Sequence, residues 1–284
     1  MTERLADIGA HITGIRQLGA VVNAMRGIAA ARALQARGQL AAVDRYAATI
    51  AAVIARVLSL APIAAPGATH RPGRLALALF CAEQGFAGAF SERVLDAVGP
   101  DLATSELFLV GTRGRVALAE RGITAGWTSA FPSHSPGVPR LADDIVTALY
   151  TRIATGEIDR LDAVFCHWQP GHAMHVERRH LFPFDTAAFP VPKDADAPLL
   201  NLEPVALLRT LTADYLHALL CEAALNGFAA ENQARMEAMA AAHSQIERQL
   251  GVLQATERIM RQDQITEEII ELAAGETASR AGRR

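Results

Sequence analysis

Four histidines lie close together in the second half of the chain, and histidine is the commonest protein ligand for metal ions. They are His167, His172, His175 and His180, with Cys166 and Trp168 adjacent. The spacing HWQPGHAMH matches no zinc-finger pattern. Alternation along a strand would also place Cys166 and His167 on opposite faces. Surface histidines are therefore the favoured interpretation, and neither a metal nor another cofactor is predicted.

A second candidate site is the segment GTRGR at 111–115, which follows an apolar run and precedes a helical stretch. A glycine-rich turn before a helix can hold a phosphate group. The segment lacks a complete G-x-G-x-x-G and any G-K-[ST], so a strand-to-helix turn that needs glycine is favoured over a nucleotide site. No G-x-S-x-G or comparable arrangement indicates an activated nucleophile.

The first of the elements that would position such residues is a long N-terminal helix. Residues 1–60 contain no proline, and apolar residues recur at three-four spacing from Leu5 to Val57. This pattern predicts an amphipathic helix on the order of 80 Å long. The helix is expected to end before the proline- and glycine-rich linker at 61–73.

The middle of the chain, residues 74–200, alternates short apolar runs with helical stretches, which predicts a Rossmann-like α/β domain with a largely parallel sheet. Helices are expected near Ser91–Val98, Arg113–Arg121 and Leu141–Ala154. Strands are expected at Leu75–Phe80, Leu107–Val110 and Ala163–Cys166, with an edge strand at His175–Phe184 whose Pro183 suits an edge position.

A second long helix is predicted at the C-terminal end. After Pro204 no proline follows, and fourteen positions from Leu208 to Leu253 step alternately by three and four. Eleven of the fourteen are apolar, a diluted heptad pattern. The helix is expected to run from Glu203 to Ala273, on the order of 100 Å.

Neither long helix can bury its apolar stripe alone, so we expect 1–60 and 203–275 to pair as an antiparallel coiled coil. Residues 1–60 carry seven arginines against three acidic residues, a net charge of +4. Residues 203–275 carry five arginines against eleven acidic residues, a net charge of −6. Opposite charges beside the seam favour this partner over self-association.

Composition excludes several classes of protein. The 284 residues are 51% hydrophobic, which excludes intrinsic disorder, and their 30 acidic residues exceed the 27 basic ones, which argues against a nucleic-acid partner. The first ten residues lack the pattern of a secretory signal, and no uncharged apolar run is long enough to span a bilayer. Three widely separated cysteines fit reduced structural thiols in a cytoplasm.

Motifs at both ends of the chain resemble the F-type ATP synthase gamma subunit. VVNAMRGIAAARALQAR at 21–37 is similar to the family's N-terminal "ITKAM…VAA…K" helix. AENQARMEAMAAAHSQ at 230–245 is similar to "SEQAARMVAMKAATDN", and RQDQITEEI at 261–269 to "RQAxITQEI". The likeness extends over the whole chain. The family's "SDRGLCGGLN" segment instead reads CAEQGFAGAF at 81–90, and this departure with the acidic balance indicates a divergent branch, such as the alternate F-type ATPases.

The resemblance implies roles for matched residues only. Contacts with a beta-subunit loop would be made by Arg261, Gln262 and Thr266, for which an ordinary solvated helix face is the alternative. The rotor-helix face that meets the beta levers would include Met25, Arg26 and Arg32, with core packing the alternative for Met25. A loop facing those levers would include Gln84, Gly85 and Gly88. A foot near the membrane ring would include Asn201, Glu203 and Pro204.

The resemblance also implies a non-catalytic central-stalk rotor that couples flow of protons or sodium ions to ATP synthesis or hydrolysis. Its partners would be the alpha, beta and epsilon subunits and the membrane c-subunit ring. The chain would then be peripheral, on the cytoplasmic face of the bacterial inner membrane. Two alternatives remain open at the level of sequence: a nucleotide-binding Rossmann-like enzyme with helical dimerisation arms, and a coiled-coil scaffold.

Overall fold

The computed structural model describes residues 2–60, 74–169, 174–185, 189 and 200–281, with only the backbone described at 2–4, 60 and 276–281. The chain divides into two compact units. One unit comprises Met1–Ile28 and Met236–Arg284, and the other comprises Ala29–Arg235. Each long terminal helix therefore contributes to both units.

The two terminal helices are α1, Thr2–Leu60, and α6, Pro204–Ala281. Helix α6 begins where Glu203 caps it: the Glu203 carboxylate accepts a hydrogen bond from the Ala206 N–H at 3.0 Å. Pro204 suits the first helical position, which needs no amide donor. The predicted end of this helix near Ala273 was too early. Gly275 costs only about 1 kcal/mol in a helix, so it does not end α6, which continues to Ala281.

Between the terminal helices lies one five-stranded sheet with the strand order β3-β2-β1-β4-β5. Strands β1 to β4 are mutually parallel where they pair, and β5 is an antiparallel edge strand beside β4. The strands are β1 Leu75–Phe80, β2 Glu106–Val110, β3 Trp127–Ser129, β4 Arg160–His167 and β5 His175–Phe182. The helices are α2 Phe90–Val98, α3 Asp101–Thr104, α4 Thr112–Glu120 and α5 Val138–Ala154, the last preceded by the 3₁₀ turn Ser135–Gly137.

The predicted fold class is confirmed: long terminal helices flank a central, largely parallel α/β domain. Strand β3 and helix α3 were missed because three and four residues are too few to show a period. The predicted edge strand is present but ends at Phe182.

The sheet is buried on both faces. Phe80, Phe108 and Phe165 belong to a core cluster that includes residues of α5 and α6. Leu79 and Val164, which alternate with them along the strands, belong to a second cluster with residues of α2 and α4. Parallel strands covered on both sides read as continuous apolar runs, which is why β1 was recognisable from its sequence.

In the second unit the terminal helices run antiparallel. Arg37 of α1 hydrogen-bonds to Gln233 of α6 at 2.8 Å, and the later residue Ile54 shares a cluster with the earlier residue Leu208. In the first unit, Ile12 and Val22 of α1 form a cluster with α6 side chains Met239, Ile246 and Leu250. A Cβ on Gly19 would lie 3.2 Å from Ile246, so glycine permits a close approach there.

Among the described residues, no helix has a stretch both long and apolar enough to cross a bilayer.

Candidate functional site: a polar clamp on helix α6

Three polar side chains are buried in the middle of α6. Glu231, Asn232 and Arg235 are only 3%, 1% and 5% exposed, in a helix segment otherwise rich in alanine. Asn232 and Arg235 follow Glu231 by one and four residues, which places all three on one side of the helix. We call these three residues the α6 clamp, because they hold the loop that follows β1.

Arg235 is the centre of the α6 clamp. Its Nε donates to the Gly85 carbonyl oxygen at 3.0 Å, and its Nη2 donates to the Gln84 carbonyl oxygen at 3.2 Å. Its Nη1 donates to Asn232 Oδ1 at 3.1 Å, and Nη2 also pairs with the Glu231 carboxylate. A guanidinium has five N–H donors and cannot lose its charge, so a buried arginine needs several acceptors. Arg235 has four of them here.

Glu231 also binds the backbone of the loop after β1. Its Oε1 accepts the Gln84 N–H at 3.1 Å, while Arg235 supplies the compensating charge. Burial raises the pKa of the Glu231 carboxyl above its ordinary value, and Arg235 opposes that effect. The α6 clamp thus binds both the N–H and the C=O of the loop backbone, which fixes the loop whatever its side chains are.

The same loop is tied to the sheet by Glu83. One of its carboxylate oxygens, Oε2, accepts the Thr112 N–H at 3.0 Å and the Phe131 N–H at 2.8 Å. The Thr112 hydroxyl donates to the Glu83 carbonyl oxygen at 2.8 Å. Glu83 therefore joins the end of β1 to the start of α4 and the residues after β3.

This arrangement decides between the two interpretations of GTRGR. The carboxylate of Glu83 occupies the Thr112 N–H at the start of α4, and the Arg113 N–H donates to the Ala82 carbonyl oxygen at 3.0 Å. Gly111 has a φ of +101°, and a Cβ on Gly114 would lie 2.4 Å from the Cβ of Cys81. The glycines serve a tight turn and a close helix–strand approach, and the structure gives no support to a phosphate site.

Three of the predicted residues lie at the α6 clamp. They are Gln84 and Gly85 of the lever-facing loop and Arg32 of the rotor-helix face. Gln84 and Gly85 are held directly by Arg235. Arg32 of α1, half-buried, lines a crevice with Glu83, Gln84 and the α6 clamp. Gly88 lies four residues after Gln84, with a φ of +61° that favours glycine.

The other predicted residues lie elsewhere. Arg261, Gln262 and Thr266 are exposed on the part of α6 that belongs to the first unit. Arg261 pairs with Glu257 at 2.9 Å, one helical turn away, and the Thr266 hydroxyl donates to the Gln262 carbonyl oxygen.

Two further sets are also separate from the α6 clamp. Met25 packs against the apolar cluster of the first unit, in line with the core-packing alternative, whereas Arg26 is exposed. Asn201 and Glu203 are exposed before α6, and Pro204 opens that helix.

Of the four histidines, His167 and His175 lie opposite each other on β4 and β5. His180 is on the other face, with its Nδ1 3.0 Å from Asp162 Oδ1, and His172 lies outside the described residues. The three cysteines are buried and free, as expected for structural thiols.

Sequence reasoning missed the α6 clamp as a site. In the sequence, Glu231 and Arg235 stand out only as part of the segment 230–245 that resembles the family, and Glu83 lies in the divergent segment 81–90. The sequence does contain one indication of the α6 clamp: the polar residue Asn232 occupies a position in the apolar stripe of α6.

Comparisons with known proteins agree with this architecture. The ATP synthase family profile matches residues 4–278. The ATP synthase gamma chain of Parafrankia sp. (strain EAN1pec) is 30% identical over 99% of this chain and 100% of its own length. That of Chlorobium luteolum is 25% identical over 96% of this chain and 98% of its own length.

Solved structures show the same fold. A chain of the Euglena gracilis mitochondrial ATP synthase, from an OSCP/F1/c-ring structure in rotational state 3, has a TM-score of 0.67 at 15% identity, covering 100% of this chain and 97% of that one. A chain of the Tetrahymena thermophila mitochondrial ATP synthase, from a central stalk/c-ring structure, has a TM-score of 0.58 at 17% identity, covering 78% and 99%. Profile, relatives and fold agree over nearly the full length, and the chain belongs to the ATP synthase gamma-chain family.

Proposed function

We propose that this chain is the non-catalytic central-stalk rotor of a rotary F-type ATP synthase, turning within a ring of alpha and beta subunits. The catalytic chemistry would lie in those partners. Flow of protons or sodium ions through the membrane sector would drive rotation for ATP synthesis, and ATP hydrolysis would drive it in reverse. Segments 1–60 and 203–275 would be the shaft helices, and 74–200 the globular domain beside them.

The observation that carries this proposal is the exposed apolar surface of the first unit. On α6, Ile259, Ile265, Ile269 and Leu272 are 61%, 51%, 60% and 74% exposed. On α1, Leu18 and Val21 are also more than half exposed. Large exposed apolar side chains concentrated on one part of a protein mark an interaction surface. A shaft turning in an apolar sleeve would need such a surface.

The two helices give the shaft different side chains on different sides. Three catalytic sites around it would each meet another face of α1 and α6 at any moment. A partner can shift the equilibrium of a site only by contacting its states differently, so a symmetric rod would bias no site. The asymmetry of the helix pair is therefore the proposed mechanism.

Two sets of contacts would transmit torque to the beta subunits. Arg261, Gln262 and Thr266 are exposed, and the planar guanidinium of Arg261 could exchange Glu257 for a partner's carboxylate. Arg26 and Arg32 would add contacts from α1. Met25 would act through packing, since it lies against the core.

The loop Gln84–Gly88 is proposed to face the beta levers. Phe86 at its tip is 66% exposed and has a φ of +63°, an uncommon backbone conformation for a bulky residue. The α6 clamp holds the loop backbone on the rotor helix. A load on Phe86 would thus pass to α6 through the Gln84–Gly85 hydrogen bonds.

The start of α6 is proposed as the foot. Asn201, Glu203 and Pro204 would contact the c-subunit ring, near the epsilon subunit, which would place the chain on the cytoplasmic face of the bacterial inner membrane through the complex alone. The altered segment CAEQGFAGAF supports a divergent branch such as the alternate F-type ATPases. Against a nucleotide-binding enzyme stands Glu83, which already occupies the first amide of α4.

Reconstitution tests the proposal. A tagged form of the chain would be co-expressed with alpha and beta subunits from the same organism, and a bead would be attached through a cysteine introduced into the globular domain. We expect a complex with one copy of the chain, ATPase activity that requires it, and bead rotation with ATP. Failure of alpha and beta subunits to co-purify, or hydrolysis without rotation, would contradict the rotor function.

A further inference from the structure

We propose that His167, His175 and Glu177 form a binding site for a borderline divalent cation, zinc above all, on the β4–β5 hairpin. This site is independent of the rotor function and makes use of residues that the α6 clamp and the shaft do not involve.

Strand pairing brings the three residues to one face of the sheet. His167 lies directly opposite His175, and Glu177 lies opposite Phe165, two residues before His167 on β4. Because side chains two residues apart on a strand share a face, all three project on the same side. Spacing along the sequence alone does not show this, since the ligands come from two antiparallel strands.

The distances suit a metal ion. His167 Nδ1 is 3.3 Å from Glu177 Oε2, and one ligand atom from each of the three residues lies within 4.8 Å of the others. Zinc bonds of roughly 2.0–2.2 Å in a tetrahedron place two ligand atoms about 3.4 Å apart. The first pair already has that separation, and rotation of the exposed His175 ring would close the rest.

Glu177 is held in position for this role. Arg179 Nε donates to Glu177 Oε1 at 2.8 Å, and Arg179 Nη1 donates to Glu222 Oε1 at 2.7 Å. The arginine therefore occupies one carboxylate oxygen and leaves the other facing His167. Hydrogen bonds of this kind orient metal ligands in established sites.

The donor set selects the type of cation. Two imidazoles and one carboxylate suit zinc, copper, nickel or cobalt, whereas magnesium and calcium prefer oxygen ligands only. The side chains of His167 and Glu177 are 24% and 26% exposed and His175 is exposed, so a cation can enter from solvent. Three protein ligands leave a fourth position for water.

Calorimetric titration of the full chain with zinc tests the site. We expect one equivalent to bind with micromolar affinity, magnesium not to compete, and cobalt to give the visible absorption of a four-coordinate ion. Zinc should raise the melting temperature, and a chelator should reverse the rise. H175A should weaken binding by more than the roughly 10–100-fold caused by losing an outer hydrogen bond. E177Q should do the same.

H134A and H11A are the matched controls, because each removes one exposed histidine outside the cluster. Both should bind zinc as the wild type does. Since His175 is exposed, H175A is expected to keep the wild-type fold, which circular dichroism would verify. The proposal is overturned if the wild type binds no zinc, if H175A and E177Q bind as tightly as wild type, or if H134A or H11A abolishes binding.

Discussion

Arg235 of α6 donates a hydrogen bond from Nε to the carbonyl oxygen of Gly85, 3.0 Å away, across 150 positions of sequence. The longest helix of the chain therefore holds the backbone of the loop after β1. Together with the Glu231–Gln84 hydrogen bond, this contact makes α6 and the loop one mechanical element. Force applied to either would reach the other through the hydrogen bonds made by the buried, charged side chains of Arg235 and Glu231.

The first prediction concerns the buried ion pair of the α6 clamp. R235M should lower the free energy of unfolding by about 3–5 kcal/mol, because it leaves the buried Glu231 carboxylate without its compensating charge. Urea denaturation followed by circular dichroism would measure the loss.

Arg261 provides the control, because it forms an ion pair with Glu257 on the same helix but is exposed. Its replacement by alanine should change the free energy of unfolding by less than about 1 kcal/mol. The double variant E231Q/R235M should be more stable than R235M alone, since neither residue then carries an unpaired charge. A double variant as unstable as the sum of its single variants would contradict this account.

The second prediction concerns the close approach of α4 to β1. A Cβ on Gly114 would meet the Cβ of Cys81 at 2.4 Å, so G114A should lower the unfolding free energy by about 1–3 kcal/mol. At Gly38 of α1 a Cβ would meet nothing within 4 Å, and G38A should raise it by about 0.5–1 kcal/mol. Thermal unfolding of both variants would check the opposite signs; a neutral G114A would refute the close contact.

Some elements of the structure could be predicted from the sequence, and others could not. Strand β1 was predicted at its observed bounds, Leu75–Phe80, because a six-residue apolar run between breaker-rich segments is a local signal. The α6 clamp was not predicted as a site. Glu231 and Arg235 have the spacing of an ordinary exposed helix pair, and the loop that buries them is 147 residues away from Glu231 in sequence.

The histidine cluster illustrates the same limit. Alternation along β4 separates Cys166 from His167, as expected from the sequence. The proximity of His167 to His175 and Glu177 depends on the register between β4 and β5, which local periodicity does not specify. Pairing between strands and burial by distant loops were thus the parts that required a structure.

The third prediction is a pH dependence due to Asp162. Burial alone would raise the pKa of its carboxyl, but hydrogen bonds from Arg160, His180 and Arg178 outweigh burial and hold the pKa below its ordinary value of 3.8. A depressed pKa in the folded state means that the stabilisation is present above the unfolded-state pKa. It is lost as the pH falls through the folded-state pKa.

We therefore expect the wild type to lose stability below about pH 4, partly through this carboxylate. D162N should be less stable than wild type at pH 7, by roughly 1.5–3 kcal/mol for the charged hydrogen bonds lost. Its stability should also fall less between pH 5 and pH 3. Urea midpoints at several pH values would measure both effects, and parallel pH profiles for the two proteins would exclude the assignment.

The fourth prediction concerns coupling and follows from the exposure of Arg261 and Gln262. Neither side chain supports the core, so R261A/Q262A should fold as the wild type does and assemble with alpha and beta subunits. If these residues transmit torque, the complete enzyme, reconstituted into vesicles with its membrane sector, should hydrolyse ATP but pump fewer ions per ATP. Losing one partly dry arginine–carboxylate contact removes about 1.5–3 kcal/mol, enough to weaken coupling without abolishing rotation. R248A, which removes another exposed arginine of α6, is the matched control and should pump normally. Equal pumping ratios in R261A/Q262A, R248A and wild type would show that Arg261 and Gln262 are an ordinary solvated helix face.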